Sequence, residues 1–479
     1  MPRTARPVEL VLDVAEGPAP LRHRLADAVV AELRSGRLRP GDALPSTRAL
    51  AGVLRLSRGP VVAAYDELAA AGFVVSRAGS GAVVAPGADR AAAGGALTHV
   101  HTPHGSDARP ERGTAEPARW DLRPGRPDTS LVDPAAWRRA WRAAGSAVPG
   151  NDAGAGPSHD RLRRVLAEHL RRSRGVAVAP DDLLVVPGVG ASLRALPAAL
   201  GLVAGTVALE DPGYIEAWTA FATEGVRVAA VPVDGDGLDP ELLPVGAVAT
   251  YVTPSHQYPA GVVLSRERRG ALLAWARRAD AWILEDDYDS EYRHVGWPLE
   301  SLQGLDGGER VIYVGTFSKT MFPGLRLGYV IAPRALAAAF GNARALLDRQ
   351  PPAAEQAALA SFIEDGAYAR HLRRMRTVYA ARRAALIEAA GRELAGRLEL
   401  RPAETGMHLL GLLPPGVDDR AVSARALEIG VEAPALSRYA LRRPRRGGLV
   451  LGYAGYDEKA LRRGVALLAR VLDATKGTR

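Results

Sequence analysis

At 479 residues the chain exceeds what one ordinary hydrophobic core organises, so several domains are expected. Hydrophobic residues make up 47% and charged residues 24%; the longest stretch free of Asp, Glu, Lys, Arg and His, Ala195 to Leu209, has 15 residues and is broken by Pro197, Gly201 and Gly205, which favours a buried helix and turn over a membrane-crossing helix. The absence of cysteine excludes disulfides and thiolate chemistry and fits a reducing cytoplasm, and the net charge of +9 admits a polyanion partner without establishing one, since residues 1–86 carry 11 arginines against 8 acids.

The N-terminus, MPRTARPVELVLD, has no apolar run ending in a small-residue cleavage site, so no secretory signal is expected. Leu21, Leu25, Ala28, Val29 and Leu33 then recur at three- and four-residue steps and predict a helix that Gly36 ends. Ser46 is the expected N-cap of a second helix with Leu50, Val53 and Leu54 inside. Ser57 is the expected N-cap of a third, with Pro60 in its first turn and Val61, Val62, Tyr65 and Leu68 inside, ended by Gly72. Phe73–Val75 and Ala82–Val84 read as two strands joined across Arg77-Ala78-Gly79-Ser80-Gly81. The whole is a helix-turn-helix followed by a wing.

Residues 37–58, RLRPGDALPSTRALAGVLRLSR, resemble the winged-helix head of the GntR superfamily. The likeness continues through Val61-Val62-x-Ala64-Tyr65-x-x-Leu68 and the Gly79-Ser80-Gly81 wing. It implies a partner of double-stranded DNA. Arg48 leaves the first turn of the second helix and suits a phosphate or a guanine edge, and Arg58 starts the recognition helix. Ser46, Thr47 and Ser57 sit at helix starts where hydroxyls and amides meet phosphates. Gly79 and Ser80 let the wing approach the minor groove. Plain capping by Ser46 and Ser57 and a solvated face for the arginines stand as the alternatives.

From about Pro86 to Arg119 the chain is rich in Ala, Gly, Pro, Asp and Arg without period, which reads as a flexible linker. His99, His101 and His104 fall within it, with no carboxylate or cysteine at metal-ligand spacing, so no metal is expected there. The division expected is therefore a DNA-binding head at 10–86, a linker at 87–119 and a body at 120–479, with a small C-terminal subdomain from about 350.

The body alternates strand-like runs with helical stretches. The runs are Leu183–Val186, Thr206–Leu209, Val226–Val231, Ala247–Val252, Ala281–Leu284, Val311–Val314 and Gly328–Ile331; the helices include Leu162–Leu170, Ser192–Leu200 and Arg266–Arg278. That predicts an α/β fold with a mostly parallel sheet. Only three lysines occur, Lys319, Lys459 and Lys476, against 59 arginines. Lys319 stands in Gly315-Thr316-Phe317-Ser318-Lys319, where arginine would be unable to form a stable imine with a carbonyl cofactor. The acidic string Glu285-Asp286-Asp287-Tyr288-Asp289-Ser290-Glu291 follows an apolar run and offers a carboxylate to a pyridinium nitrogen, with Tyr288 placed for a ring oxygen. Thr316 and Ser318 hydroxyls, the Arg326 fork and the backbone N–H groups at Gly188 and Val189 suit one phosphate.

Together these segments resemble the fold-type I aminotransferase body of the MocR/PdxR subfamily of GntR regulators. The likeness extends to Gly125-Arg126-Pro127-Asp128, Glu210-Asp211-Pro212-Gly213-Tyr214 and Thr253-Pro254-Ser255-His256-Gln257-Tyr258-Pro259-x-Gly261. It implies pyridoxal 5′-phosphate (PLP) on Lys319, with Tyr214 stacked on the ring, Asp286 on its nitrogen and Tyr288 on its oxygen. It also implies a cytoplasmic homodimer that responds to PLP, an amine or an amino acid. Three departures stand out. The phosphate loop reads Pro187-Gly188-Val189-Gly190-Ala191, losing side-chain donors; Gly150-Asn151-Asp152 lacks the tyrosine common before Gly-Asp-Pro; and no arginine occupies Val450 or follows Tyr214, where Ile215-Glu216 stands instead. Ring-holding residues are kept and substrate-gripping ones are not, which favours a sensor with at most residual half-reactions. A working aminotransferase with a vestigial head, or a regulator whose body has lost PLP, remain the alternatives.

Overall fold

In the computed structural model, residues 10, 12–14, 20–71, 73–77, 81–86, 88–89, 120–146, 157–176, 178–201, 205–295, 300–347, 351–442 and 444–476 are described. Gly72, Gly79, Ser80, His99, His101, His104 and Gly150-Asn151-Asp152 lie outside them. The chain divides into two units, Met1–Gly113 and Thr114–Arg479.

The helical spacing of the first unit becomes α1 (Leu21–Arg34), α2 (Thr47–Val53) and α3 (Arg58–Ala70). Leu25, Val29 and Leu33 of α1 share one buried cluster with Leu50 of α2 and Val61, Tyr65 and Leu68 of α3. Gly36 ends α1 at φ 75°, a conformation glycine adopts without penalty. Ser46 caps α2, its hydroxyl accepting from the Ala49 N–H at 3.1 Å. Ser57 has the backbone of an N-cap but makes no side-chain cap bond. The reason is local: the third helical residue is Pro60, which has no N–H to donate. Strand β1 (Val74–Arg77) pairs antiparallel with β2 (Gly81–Val84), starting one residue later than the apolar run. The pair is tied to the lead-in of α2, because Leu44 donates to the Ala82 carbonyl and Val84 to that of Asp42, both at 2.9 Å.

The second unit is built on an eight-stranded sheet ordered β4 (Leu183–Val186), β11 (Gly328–Ile331), β10 (Val311–Thr316), β9 (Trp282–Asp287), β8 (Ala247–Val252), β5 (Thr206–Asp211), β6 (Arg227–Asp234) and β7 (Gly237–Leu238). Only β11 and β7 run antiparallel to their neighbours. Both faces are covered, as a parallel sheet requires. Val207, Leu209, Leu284, Ile312 and Val314 pack with Leu193, Phe221 and Phe340 on one face. Ala208, Ile283 and Val311 pack with Leu272 and Leu273 on the other.

Strands β5, β9 and β10 run two or three residues beyond their apolar runs, to Asp211, Asp287 and Thr316. The ladder continues there through polar residues that are mostly buried. The helix read from Ser192 begins at Val189, because Gly188 at φ 101° turns the chain into it. Past residue 350, β12 (Glu399–Leu400), β13 (His408–Leu412) and β15 (Gly448–Gly452) form a separate antiparallel sheet. Trp120-Asp121 (β3) pairs in parallel with Val431-Glu432 (β14), so the start of the unit is held by its end.

Close packing at one position shapes the lysine-bearing strand. A Cβ on Gly315 would lie 2.2 Å from the ring of Tyr329 on the adjacent strand. Gly315→Ala is therefore expected to cost about 1–3 kcal/mol by overpacking. A thermal scan of the full-length variant should show the body unfolding at lower temperature, and an unchanged midpoint would contradict this packing.

Candidate functional site

In open α/β sheets ligands bind outside the carboxyl ends of the strands. Here that edge gathers the motifs read from the sequence. Thr316 pairs with Gly328, and Gly328 with Val186, so three neighbouring strands bring Gly188, Thr316–Lys319 and Arg326 to one end. A Cβ on Gly328 would stand 3.3 Å from the Gly188 Cα, while a Cβ on Gly188 itself would meet nothing within 4 Å. Gly188 precedes the first turn of the helix Val189–Ala199, whose free N–H groups and dipole favour an anion. Thr316 accepts from the Ser318 N–H at 3.0 Å and so caps the short helix Phe317–Thr320. Arg326 is exposed, sits in the left-handed region at φ 51°, and its guanidinium makes no ion pair among the described residues.

Lys319 donates its amine to the Gly125 carbonyl at 3.0 Å. A Cβ on Gly125 would lie 2.8 Å from that nitrogen, so the close approach depends on glycine at φ 67°. Burial lowers the lysine pKa, opposed by Asp289 and Asp286, so the amine is readied to lose its proton.

The acidic string separates by strand parity. On β9 alternate side chains face opposite ways. Glu285 turns to the N-terminus of the helix Leu302–Asp306, accepting from the Leu302 and Gln303 N–H groups at 3.0 and 2.9 Å. Asp287, two residues on, accepts from Arg174 at 2.7 Å and from the Tyr313 hydroxyl. Asp286 has the opposite parity and, among the described residues, accepts only from the Tyr251 hydroxyl, with its buried Oδ1 unpartnered there. Burial pushes Asp286 up to about 7. A carboxylate so placed is stabilised by a protonated ring nitrogen. Asp287 is thus paired with a cation within the protein and Asp286 is not, while each keeps one buried carboxylate oxygen without a hydrogen-bond partner among the described residues.

Tyr214 stands at the start of the helix Ile215–Thr223, its ring nearly parallel to that of Tyr251, with centroids 6.4 Å apart and planes at 19°. The turn before it is fixed at both ends. Glu210 accepts from the Thr253 hydroxyl at 2.7 Å, and Gly213 donates to the Tyr439 carbonyl at 2.8 Å. Tyr288 is half-buried, and its hydroxyl lies 2.9 Å from both Nδ1 and the carbonyl oxygen of His256. The sequence motifs assign no role to Tyr251, His256 or Arg126. Arg126 stands near enough to Lys319 to oppose its charge. The inward parity of Tyr251 on β8 was the one available signal for it.

In the head, the Arg58 guanidinium donates to the Thr47 hydroxyl at 3.2 Å, so the starts of α2 and α3 meet. Arg48 and Arg58 are both exposed there, as are Ser46 and Ser57.

These two units have separate known counterparts. Residues 21–84 match the gntR family of bacterial regulatory proteins, and residues 123–465 match aminotransferase class I and II. The "Probable rhizopine catabolism regulatory protein MocR" of Rhizobium meliloti is 37% identical, covering 95% of this chain and 94% of that protein. The pyridoxine biosynthesis transcriptional regulator PdxR of Corynebacterium glutamicum is 36% identical over 95% and 96%, respectively. The multiple substrate aminotransferase of Thermococcus profundus superposes with a TM-score of 0.68 at 26% identity, over 75% of this chain and 92% of that one. The kynurenine aminotransferase of Pyrococcus horikoshii gives 0.67 at 25%, over 74% and 91%. Head and body each match in the expected order along nearly the whole length, and the chain belongs to the MocR/PdxR subfamily of GntR-type transcriptional regulators, a winged-helix DNA-binding head fused to a fold-type I, PLP-dependent aminotransferase-type body.

Proposed function

We propose that this regulator holds PLP on Lys319 and converts the state of that site into a change in DNA binding, acting as a cytoplasmic homodimer without sustained amino-group transfer. The observation that carries the reading is a half-buried lysine whose charge feels Asp286, a buried carboxylate with no cationic partner among the described residues. PLP, when bound, supplies a ring that withdraws electrons from an attached amine. Asp286 would keep the ring nitrogen protonated, with Tyr251 orienting the carboxylate. Gly188, Val189, Thr316, Ser318 and Arg326 would hold the phosphate, Tyr214 would cover the ring and Tyr288 would meet its oxygen.

The effector side is different. Val450 is buried in an apolar cluster with Leu410, Leu436 and Tyr439, and Glu216 is exposed at the first turn after Tyr214. Neither can grip a carboxylate, so a bound amino acid would lack the orientation that efficient chemistry needs. In the head, Ser46, Thr47 and the adjoining amides would meet phosphates, Arg48 a phosphate and Arg58 a base edge, with Ser57 beside it. Gly79 and Ser80 would bring the wing to the minor groove. The domain limits proposed are 10–86, 87–119 and 120–479.

Borohydride reduction of the PLP-loaded protein, followed by peptide mapping, should place the label on Lys319. Label on Lys459 or Lys476, or none with PLP in excess, would sink the proposal.

Arg58→Ala should weaken operator binding by about 1–3 kcal/mol and relax sequence preference, whereas Arg48→Ala should weaken all sequences alike and flatten the salt dependence. Both variants should keep the wild-type PLP spectrum. Titrations over a salt series distinguish the two roles, and unchanged affinity in both variants would refute this placement of the head on DNA.

A further inference from the structure

His256 belongs to none of the roles assigned so far, yet it lies in a buried polar cluster with Asp289 and His408. Its Nδ1 lies 2.9 and 3.2 Å from the two carboxylate oxygens of Asp289 and 2.9 Å from the Tyr288 hydroxyl. Its Nε2 is buried and has no hydrogen-bond partner among the described residues. Burial takes the ring down to about 3, so it is neutral and carries a single N–H. Only on Nδ1 does that hydrogen find acceptors. The Tyr288 O–H is directed to the His256 carbonyl, so the phenol oxygen is free to accept from Nδ1. An N–H donated to a phenol oxygen polarises the phenol and strengthens its own O–H as a donor.

The pair is enclosed by the start of β13. The His408 ring lies tilted against that of His256, with centroids 4.5 Å apart and planes at 41°, and its Nε2 is bonded to the Pro259 carbonyl at 3.2 Å. Gly406, at φ 91°, passes so close that a Cβ there would lie 2.0 Å from the His256 Nδ1. His256, Asp289 and His408 also have the composition of a cation site. The His256 Nδ1 is closed on Asp289 at hydrogen-bond length, which favours hydrogen bonding over an ion.

We infer that His256, held in its Nδ1–H form by Asp289, is a positioning residue that fixes the Tyr288 phenol oxygen, so that the Tyr288 O–H, which donates to the His256 carbonyl in this structure, turns to the ring oxygen when the cofactor is bound. The inference rests on the proposed placement of Tyr288 at that oxygen. Tyr288 is also faced by Asp286, Asp289, Glu210 and Tyr258, so a change in its titration must be assigned by variants.

The test is the pH midpoint of the visible band of the PLP-loaded, full-length protein. A donor to the ring oxygen stabilises the deprotonated form of the lysine linkage, so losing it raises the midpoint. Tyr288→Phe should raise it by about 1 unit, the size of one hydrogen bond to one protonation state. His256→Leu should shift it in the same direction and add nothing in a Tyr288→Phe background. His256→Asn, which keeps an N–H near the Nδ1 position, should stay near the wild-type value. A His256→Leu midpoint equal to wild type, or an undiminished shift in the Tyr288→Phe background, would overturn the inference. A second measurement needs no cofactor and no variant. Nitrogen-15 NMR of the cofactor-free protein should show His256 protonated at Nδ1; protonation at Nε2, or displacement of that proton by one bound equivalent of zinc, would also overturn it. An unshifted Tyr288→Phe midpoint would instead contradict the placement of Tyr288, while the NMR result still decides the His256–Asp289 pair.

Discussion

Glu285, Asp286 and Asp287 follow one another on a strand that is buried along almost its whole length, and three adjacent carboxylates there must each find donors. Strand parity divides them. Glu285 is met by two helix amides, and Asp287 by Arg174 and Tyr313, so two charges are matched within the protein on one side of the strand. Asp286 points the other way and is met by one tyrosine. The architecture around it follows from this imbalance. One helix N-terminus, an arginine and a tyrosine meet the structural acids, and the remaining one lies towards the edge where Lys319, Arg326 and Gly188 gather.

The same edge explains why a regulator keeps an aminotransferase-type body. Groups that would hold a phosphorylated pyridine come from strands locked in register, so they are rigid. Groups that would grip an amino acid would come from Glu216 and Val450, at the helix after Tyr214 and on the antiparallel sheet past residue 350. Those positions are acidic and apolar, respectively. A site that retains its cofactor contacts while losing its substrate contacts can still shift an equilibrium, because a ligand need only prefer one arrangement of the protein over another.

Much of this was legible in the residues. The β4, β8 and β11 limits follow from apolar runs bounded by turns, and the Lys319 and Arg326 strings were recognisable because so few residue types can do their chemistry. The carboxyl ends of β5, β9 and β10 were not, since hydrophobicity stops before the ladder does and the polar residues that continue it are buried by tertiary contacts. The sequence favoured Asp286 over Asp287 only by resemblance, and that Asp287 is met by Arg174 and Tyr313 is visible only in the fold. Ser57 shows the opposite failure. A good N-cap residue was in place, but Pro60 removed an amide it would have capped. His256 was hidden because its partners, Asp289 and His408, are 33 and 152 positions away in sequence and meet only in the fold.

The central claim is that the cofactor site speaks to the DNA-binding head and does little chemistry. The most direct test measures operator affinity of the full-length protein, by fluorescence anisotropy on DNA from its own upstream region, with and without PLP, beside amino-donor turnover under the same conditions. The account predicts an affinity change of at least about fivefold, the lower end of ordinary allosteric coupling, with turnover well below about 1 per second. Operator affinity indifferent to PLP, together with sustained turnover at about 1 per second or faster, would contradict it.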